Sequence, residues 1–360
     1  MSNDTPSIAD RSSLEDQLSD LLEQRNTPLE PITPERALEL YLDDKARECQ
    51  QSTVRSHQSR LGFFVDWCDE QGIENLNDLS ARDIHEFRVW RREDLNVTSE
   101  KTQMDTLRVF IKWLESIDAV EQDLHKKVRS PDVTPAENSR DVMLETDDAE
   151  AMLTYLRRYE YASLRHVTAT LLWHTMLRMG SIRALDIEDY DPEEQSLTLR
   201  HQPDTDTPLK NKRKGERIIA VSNDVCLVLD DWVREKRPEV TDDYGRQPLL
   251  STNHGRVGRT TIRNYCYQIT RPCKYGQECP HDRNESDCEA AGLDSPSECP
   301  SSVSPHPFRR GAITHFLQSD VPETVVSDRA NVTKDVIDQH YDQRSDTEKM
   351  EQRRGYLDKV

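Results

Sequence analysis

The sequence predicts a mainly α-helical protein with a small β-hairpin or sheet, an α+β chain, and three observations carry that prediction. Apolar residues recur at three- and four-residue spacing through most of the 360 positions. Two short runs, SLTLRHQP and RIIAVS, alternate as strands do, around the basic turn TPLKNKRKGE. A stretch over 125–145, HKKVRSPDVTPAENSRDVMLE, holds prolines and mixed charge with no apolar period, which places a linker there and divides the chain in two.

In chain order, residues 1–30 are polar, with Leu14, Leu18, Leu21 and Leu22 at helical spacing, and read as a flexible leader with one short helix. Residues 31–124 read as a bundle of four helices. TPERALELYLDDKARE comes first, then VRSHQSRLGFFVDWCDEQG, with Leu61, Phe64, Val65 and Cys68 on one face and Gly72 as its stop. In LSARDIHEFRVWRRED, Ser80 and Asp83 have capping-box spacing ahead of an Ile84, Phe87, Trp90 stripe. SEKTQMDTLRVFIKWLESI closes the bundle with Met104, Leu107, Phe110, Ile111 and Leu114. Residues 146–360 form the second domain. ASLRHVTATLLWHTMLRMGSIRALDIEDYD predicts a buried helix, a break at Gly180 and a short second helix. The hairpin follows, then helices in NDVCLVLDDWVREKRP and RTTIRNYCYQITR, and a last helix in DTEKMEQRRGYLDKV.

Composition narrows the function classes. No run of eighteen apolar residues exists and the first residues lack a charged and an apolar signal region, so a soluble, cytoplasmic protein without membrane partners is expected. No GxGxxG or Walker-type loop occurs, which removes the commonest nucleotide-binding readings. Against 48 Lys and Arg stand 68 Asp and Glu, a balance that by itself opposes binding of a polyanion. Net charge speaks to solubility and association, however, and an acidic surface also suits concentrated salt, where screening weakens self-repulsion.

Within this acidic chain particular basic groups stand in an order: Arg178 after LLWHTML, Lys210 in the hairpin turn, His306 and Arg309 in SPHPFRRGAITHFL, and Tyr341 in VIDQHYDQRS. That set resembles the catalytic residues of the tyrosine recombinase, or phage integrase, family. The resemblance covers roughly 140–360 as a catalytic domain, and the four-helix segment is similar to the family's core-binding domain. HTMLRMGSIRALDIEDYD stands for the family's first box, usually TGLRxSEL; SPHPFRRGAITHFL stands for HxLRH, with Arg310 where the family has histidine. Asn331 stands in the third box, where the family places histidine or tryptophan, and would give one uncharged hydrogen bond to the phosphate.

The resemblance implies a site-specific recombinase that cuts and rejoins double-stranded DNA through a 3′-phosphotyrosine. Two guanidiniums offer fixed donor forks to a phosphate gaining charge in the transition state, and Arg178 and Arg309 would be that clamp. A tyrosine hydroxyl is a weak nucleophile at neutral pH, so His306 would take the proton of Tyr341. The leaving 5′-oxygen needs a proton, which Lys210 would supply, with Lys212 and Lys214 open as alternatives. The stored phosphotyrosine bond makes rejoining independent of ATP and of any metal for chemistry. Exchange of four strands implies a homo-tetramer on DNA.

Between the RTTIRNYCYQIT helix and His306 lies a polar loop, 273–299, with Cys273, Cys279, Cys288, Cys299 and His281. Clustered cysteines in an intracellular chain suggest structural zinc, with His281 the substitute ligand; the spacings of five, eight and ten intervening residues match no standard finger, and free thiols are the competing reading. Arg55 and Arg91 in the bundle, and Arg256, Arg259 and Arg263 in GRVGRTTIRN, are candidate DNA contacts, with a solvated face as the alternative. Insertion, turn and acidic surface together resemble integrases of salt-adapted archaea. Two rivals remain: a zinc-stabilised regulator that has lost the chemistry, and a type IB topoisomerase, which shares the nucleophile.

Overall fold

The structure, a computed structural model, describes residues 28–133, 142–342 and 344–357, so residues 1–27 of the leader with its expected short helix, and the middle of the linker, lie outside the described residues. The chain divides into two units, Met1–Ser139 and Arg140–Val360.

In the first unit the four helices are α1 (Pro34–Glu48), α2 (Gln51–Gln71), α3 (Ala81–Arg92) and α4 (Val97–Glu115). Thr33 caps α1 with Pro34 at its first position, where a missing N–H costs nothing. Gly72 ends α2 at φ 72°, and Ser80 and Asp83 form the expected capping box on α3. The apolar stripes meet in an aromatic-rich core in which Phe64 stands edge-on to Phe87, and Tyr41 edge-on to Phe110. That core reaches past residue 124 to Val128, because Arg108 holds the Val128 carbonyl at 2.8 Å and Glu115 holds His125 at 2.7 Å.

The second unit is built on α6 (Leu164–Thr175), which is buried along nearly its whole length and packs against α5 (Thr146–Tyr159), α8 (Asn223–Asp231), α9 (Arg259–Ile269) and α10 (Pro305–Gln318). A helix buried on nearly every face belongs in the middle of a core. Between α6 and α8 run the short α7 (Met179–Ala184) and an antiparallel sheet in the order β1 (Tyr190–Asp191), β2 (Ser196–Leu199), β3 (Arg217–Ala220). Leu197 faces Ile219 and Leu199 faces Arg217 across the hairpin. The pair β4 (Ser251–Thr252) and β5 (Gly255–Arg256), which the sequence pattern did not suggest, closes a second hairpin before α9. After α10 come α11 (Glu323–Ala330), α12 (Lys334–His340) and α13 (Asp346–Leu357).

One expected break moves. Gly180 lies inside α7, and the chain turns instead at Met176, at φ 54°. A methionine takes that conformation because its side chain is fully buried and its carbonyl accepts a hydrogen bond from Arg309.

Candidate active site

The site is organised around the C-terminal end of α11. Asn331 terminates this helix in the left-handed region, φ 50° and ψ 60°, which leaves the last carbonyls without partners inside the helix. Three arginines from three other segments take three successive carbonyls. Arg217 donates through Nε and Nη2 to Arg329 at 3.2 and 2.9 Å, Arg309 through Nη2 to Ala330 at 2.8 Å, and Arg178 through Nη2 to Asn331 at 3.2 Å. The negative end of the helix dipole favours cations there.

Arg178 precedes the first residue of α7 in extended conformation, so the turn at Met176 swings it out of the α6 line toward α11. Arg309 sits one turn into α10 at 2% exposure, bonded to the carbonyls of Met176 and Ala330 and to the Tyr341 side chain. Burial, then the neighbouring Arg178, push its pKa down to about 10, and it stays charged at neutral pH. Burial also lowers Arg178, while the nearby Tyr341 opposes that shift.

His306 lies in the first turn of α10, after Pro305, and meets Tyr341 edge to face with ring centroids 6.1 Å apart. Desolvation of the imidazole lowers its pKa, and Arg309, Arg310, Lys210 and Arg178 add to this, although the residue as a whole keeps an edge open to solvent. Tyr341 directly follows α12 and is 6% exposed. Its carbonyl accepts from Thr314 on α10 at 2.7 Å, and the next residue, Asp342, is gripped by Arg344 at 2.8 Å and by Lys349 of α13 at 3.1 Å. Burial alone would raise the Asp342 carboxyl, but those cations hold it down at about 2.

The hairpin turn brings its lysines to different neighbours. Lys210 is exposed and acts electrostatically on His306, whereas Lys214 lines a cavity of about 500 Å³ with Arg178, Arg217, Asn211 and Asn331. The Asn331 amide differs from expectation: it donates to the Lys214 carbonyl at 3.3 Å and accepts from Asn211 at 3.0 Å, so it faces the hairpin turn. It is the Asn331 carbonyl that meets Arg178.

Arg217 was missed in the sequence. The available signal was that it shares the inward face of its strand with Ile219, an unusual place for a guanidinium.

Two expected DNA contacts are corrected. Arg256 is bound inside the unit by Asp186 and by Asp242 at 2.8 Å, with a side chain 5% exposed, and so has no donor face left for a phosphate. Arg91 stacks on Phe63, 3.8 Å from the ring centroid, and reaches Asp94 at 3.4 Å. Arg55 and Arg263 are exposed and Arg259 is half-buried.

The loop 273–299 is tied at its base by Val303 donating to Thr270 Oγ1 at 2.9 Å and by Arg271 to the Ala290 carbonyl. Cys273 feels the charge of both Cys299 and Cys279, none of the four loop cysteines is in a disulfide, and His281 Nε2 stands 2.8 Å from Ser301 Oγ. Among the described residues no three His, Cys, Asp or Glu side chains are gathered as a metal centre.

Comparison with known proteins agrees with the geometry. Residues 143–348 match the phage integrase family, and residues 38–116 match the phage integrase N-terminal SAM-like domain. Tyrosine recombinase XerD of Listeria monocytogenes is 23% identical over 276 residues, covering 76% of this chain and 81% of that protein. Tyrosine recombinase XerC of Escherichia coli O157:H7 is 24% identical over 277 residues, 76% of this chain and 79% of that one. Among solved structures, the Tn1549 transposon integrase in complex with transposon right end DNA aligns with TM-score 0.61 at 13% identity, over 90% of this chain and 99% of that one. A lambda integrase tetramer bound to a Holliday junction aligns with TM-score 0.57 at 12% identity, over 90% and 87%. No described helix is long and apolar enough to cross a membrane. The family match spans more than half of the chain and takes in every residue of the arginine, lysine, histidine and tyrosine set, and the chain therefore belongs to the phage integrase family as a tyrosine-type site-specific DNA recombinase.

Proposed function

We propose that Arg178 and Arg309 hold the two non-bridging oxygens of the scissile phosphate while the Tyr341 oxygen attacks phosphorus. His306 accepts the phenolic proton, the bond from phosphorus to the 5′-oxygen breaks, and Lys210 protonates that oxygen as it leaves. Attack by a second 5′-hydroxyl reverses each transfer, so atoms and protons balance without a further reactant. The observation that carries this reading is the meeting of Arg309, Arg178 and His306 around the one tyrosine that follows α12. Arg309 Nε is buried without a hydrogen-bond partner among the described residues, a donor left unspent beside Tyr341. Lys210 is favoured over Lys212 and Lys214 by its electrostatic reach to His306.

Strand exchange between two duplexes calls for a homo-tetramer on DNA in the cytoplasm, with exposed Arg55 and Arg263 and half-buried Arg259 as backbone contacts. The excess of 68 acidic over 48 basic residues supports a resemblance to the integrases of salt-adapted archaea. The regulator reading gains nothing from a site that keeps its nucleophile and both clamp arginines, and what favours recombination over the topoisomerase reading is the match to tyrosine recombinases.

The test is a covalent-adduct assay in molar potassium chloride on fragments flanking the gene, intact and nicked, followed by denaturation in detergent. A protein–DNA band that is lost in Tyr341→Phe is expected; an unchanged band in that variant would remove Tyr341 as the nucleophile.

The loop 273–299 is proposed to hold one structural zinc. Support comes from its donor chemistry alone, Cys273, Cys279, Cys288 and Cys299 with His281 as the substitute ligand, all within one loop. Elemental analysis of purified protein is expected to find about one zinc per chain, lost together with protection of the thiols from alkylation when Cys279 and Cys299 are replaced by serine. Metal-free protein with the same thiol protection would leave the cysteines as ordinary packing residues.

A further inference from the structure

We propose that Arg217 is a positioning residue for the general acid, a strut that holds the lysine-bearing turn of the hairpin against the end of α11. The proposal rests on the catalytic assignment above and extends it to a residue that touches neither phosphate nor tyrosine in that assignment.

Its guanidinium joins two segments that do not otherwise follow from one another in sequence. Nη1 donates to the Gly215 carbonyl at 2.8 Å, inside the turn that runs from Lys210 to β3, while Nε and Nη2 fork onto the Arg329 carbonyl of α11. The same turn meets α11 a second time through Asn331, whose amide binds the Lys214 carbonyl and the Asn211 amide. A third contact is steric: a side-chain carbon built on Gly215 would stand 3.3 Å from Asn331 Nδ2 and 3.3 Å from Leu209 Cβ, so the turn already lies flush on the helix end.

Position and chemistry both suit a strut better than a third phosphate ligand. The Arg329 and Gly215 carbonyls already take all three polar nitrogens of Arg217, and a fork fixed at two places has little freedom to turn toward a substrate. Meanwhile Arg178 and Arg309 occupy the next two carbonyls of the same helix end. The spacing between the lysines and the phosphate clamp is thereby referred to a single rigid feature, the terminus of α11. The three lysines of the hairpin turn are themselves exposed, and buried Leu209 anchors the turn only where it begins, ahead of Lys210. Removing the strut should release the turn and slow protonation of the 5′-oxygen, with the clamp and the nucleophile left in place.

The experiment compares two nicked substrates in the full-length protein, one with the natural 5′-oxygen at the scissile bond and one with a bridging 5′-sulfur, which departs as thiolate and needs no proton. Lys210→Ala serves as the reference for a lost acid. Arg217→Gln is expected to slow adduct formation on the oxygen substrate by about 100-fold, and to come within about threefold of wild type on the sulfur substrate. Gly215→Ala, which disturbs the turn while keeping the arginine, is expected to give the same leaving-group signature in weaker form. Thermal midpoints of both variants report whether the fold persists. Equal slowing on both substrates, or no slowing on either, overturns the strut. If wild-type protein forms no adduct on either substrate, the catalytic assignment beneath the inference fails; if only Lys210→Ala is not restored by sulfur, the lysine assignment fails and Arg217 is judged on its own two substrates.

Discussion

As the base of the proposed reaction His306 must be uncharged to function, and the residues around it favour that form. Desolvation, Arg309, Arg310, Lys210 and Arg178 all disfavour the imidazolium, so its pKa lies below the ordinary histidine value of about 6.5. The neutral form therefore persists through neutral pH and is lost only as pH falls beneath that lowered value. Adduct formation is expected to stay level from pH 8 down to about 6.5 and to decline below it, with the decline absent in His306→Gln, whose rate is about 100-fold lower throughout. The same acid limb in the glutamine variant would assign the titration to another group. Basic residues of one sequence run meet different fates at this scale. Arg256 answers two buried carboxylates, and Arg263 lies exposed on the helix that follows. Nothing local distinguishes them, since both stand in the run GRVGRTTIRN; the difference is set by Asp186 and Asp242, which arrive from elsewhere in the chain.

Among the elements, α10 carries His306 and Arg309 and is seated by a glycine. The segment before α5 crosses α10 so closely that a β-carbon on Gly311 would fall 1.9 Å from the Leu144 carbonyl oxygen, while Leu144 N–H bonds the Pro307 carbonyl at 3.2 Å. Backbone cannot yield as a flexible side chain does, so Gly311→Ala must move α10 or the 142–145 segment. A loss of about 3 kcal/mol in unfolding free energy is expected, measured by urea denaturation, together with weaker adduct formation. A midpoint equal to wild type would show that the crossing is looser than described. Nothing around Gly311 in the sequence marks this role, which is invisible until Leu144 is laid across it. The misplaced break between α6 and α7 has a related cause. Gly180 is the local candidate, but a buried carbonyl that accepts from Arg309 keeps Met176 in the left-handed turn.

For the whole molecule, 68 acidic against 48 basic residues leave an excess of negative charge on the surface, while Arg178, Arg217 and Arg309 are gathered at one helix end. Surface repulsion of that kind is screened over about 3 Å at molar salt and over about 10 Å at a tenth of that concentration. The thermal unfolding midpoint is therefore expected to rise between 0.1 M and molar potassium chloride, on the order of several degrees; a flat or falling midpoint would argue that the acidic surface is not an adaptation to salt. The sequence by itself determined the helical bundle, the central hairpin and the family, because apolar period, helix caps and the order of the boxes are properties of neighbouring residues. Tertiary structure alone decided that Arg256 and Arg91 are structural, that Asn331 presents its carbonyl to Arg178, and that Arg217 joins the hairpin to α11. Each of those depends on which unpaired carbonyl or carboxylate a distant segment brings within reach of a guanidinium, and burial makes that pairing obligatory.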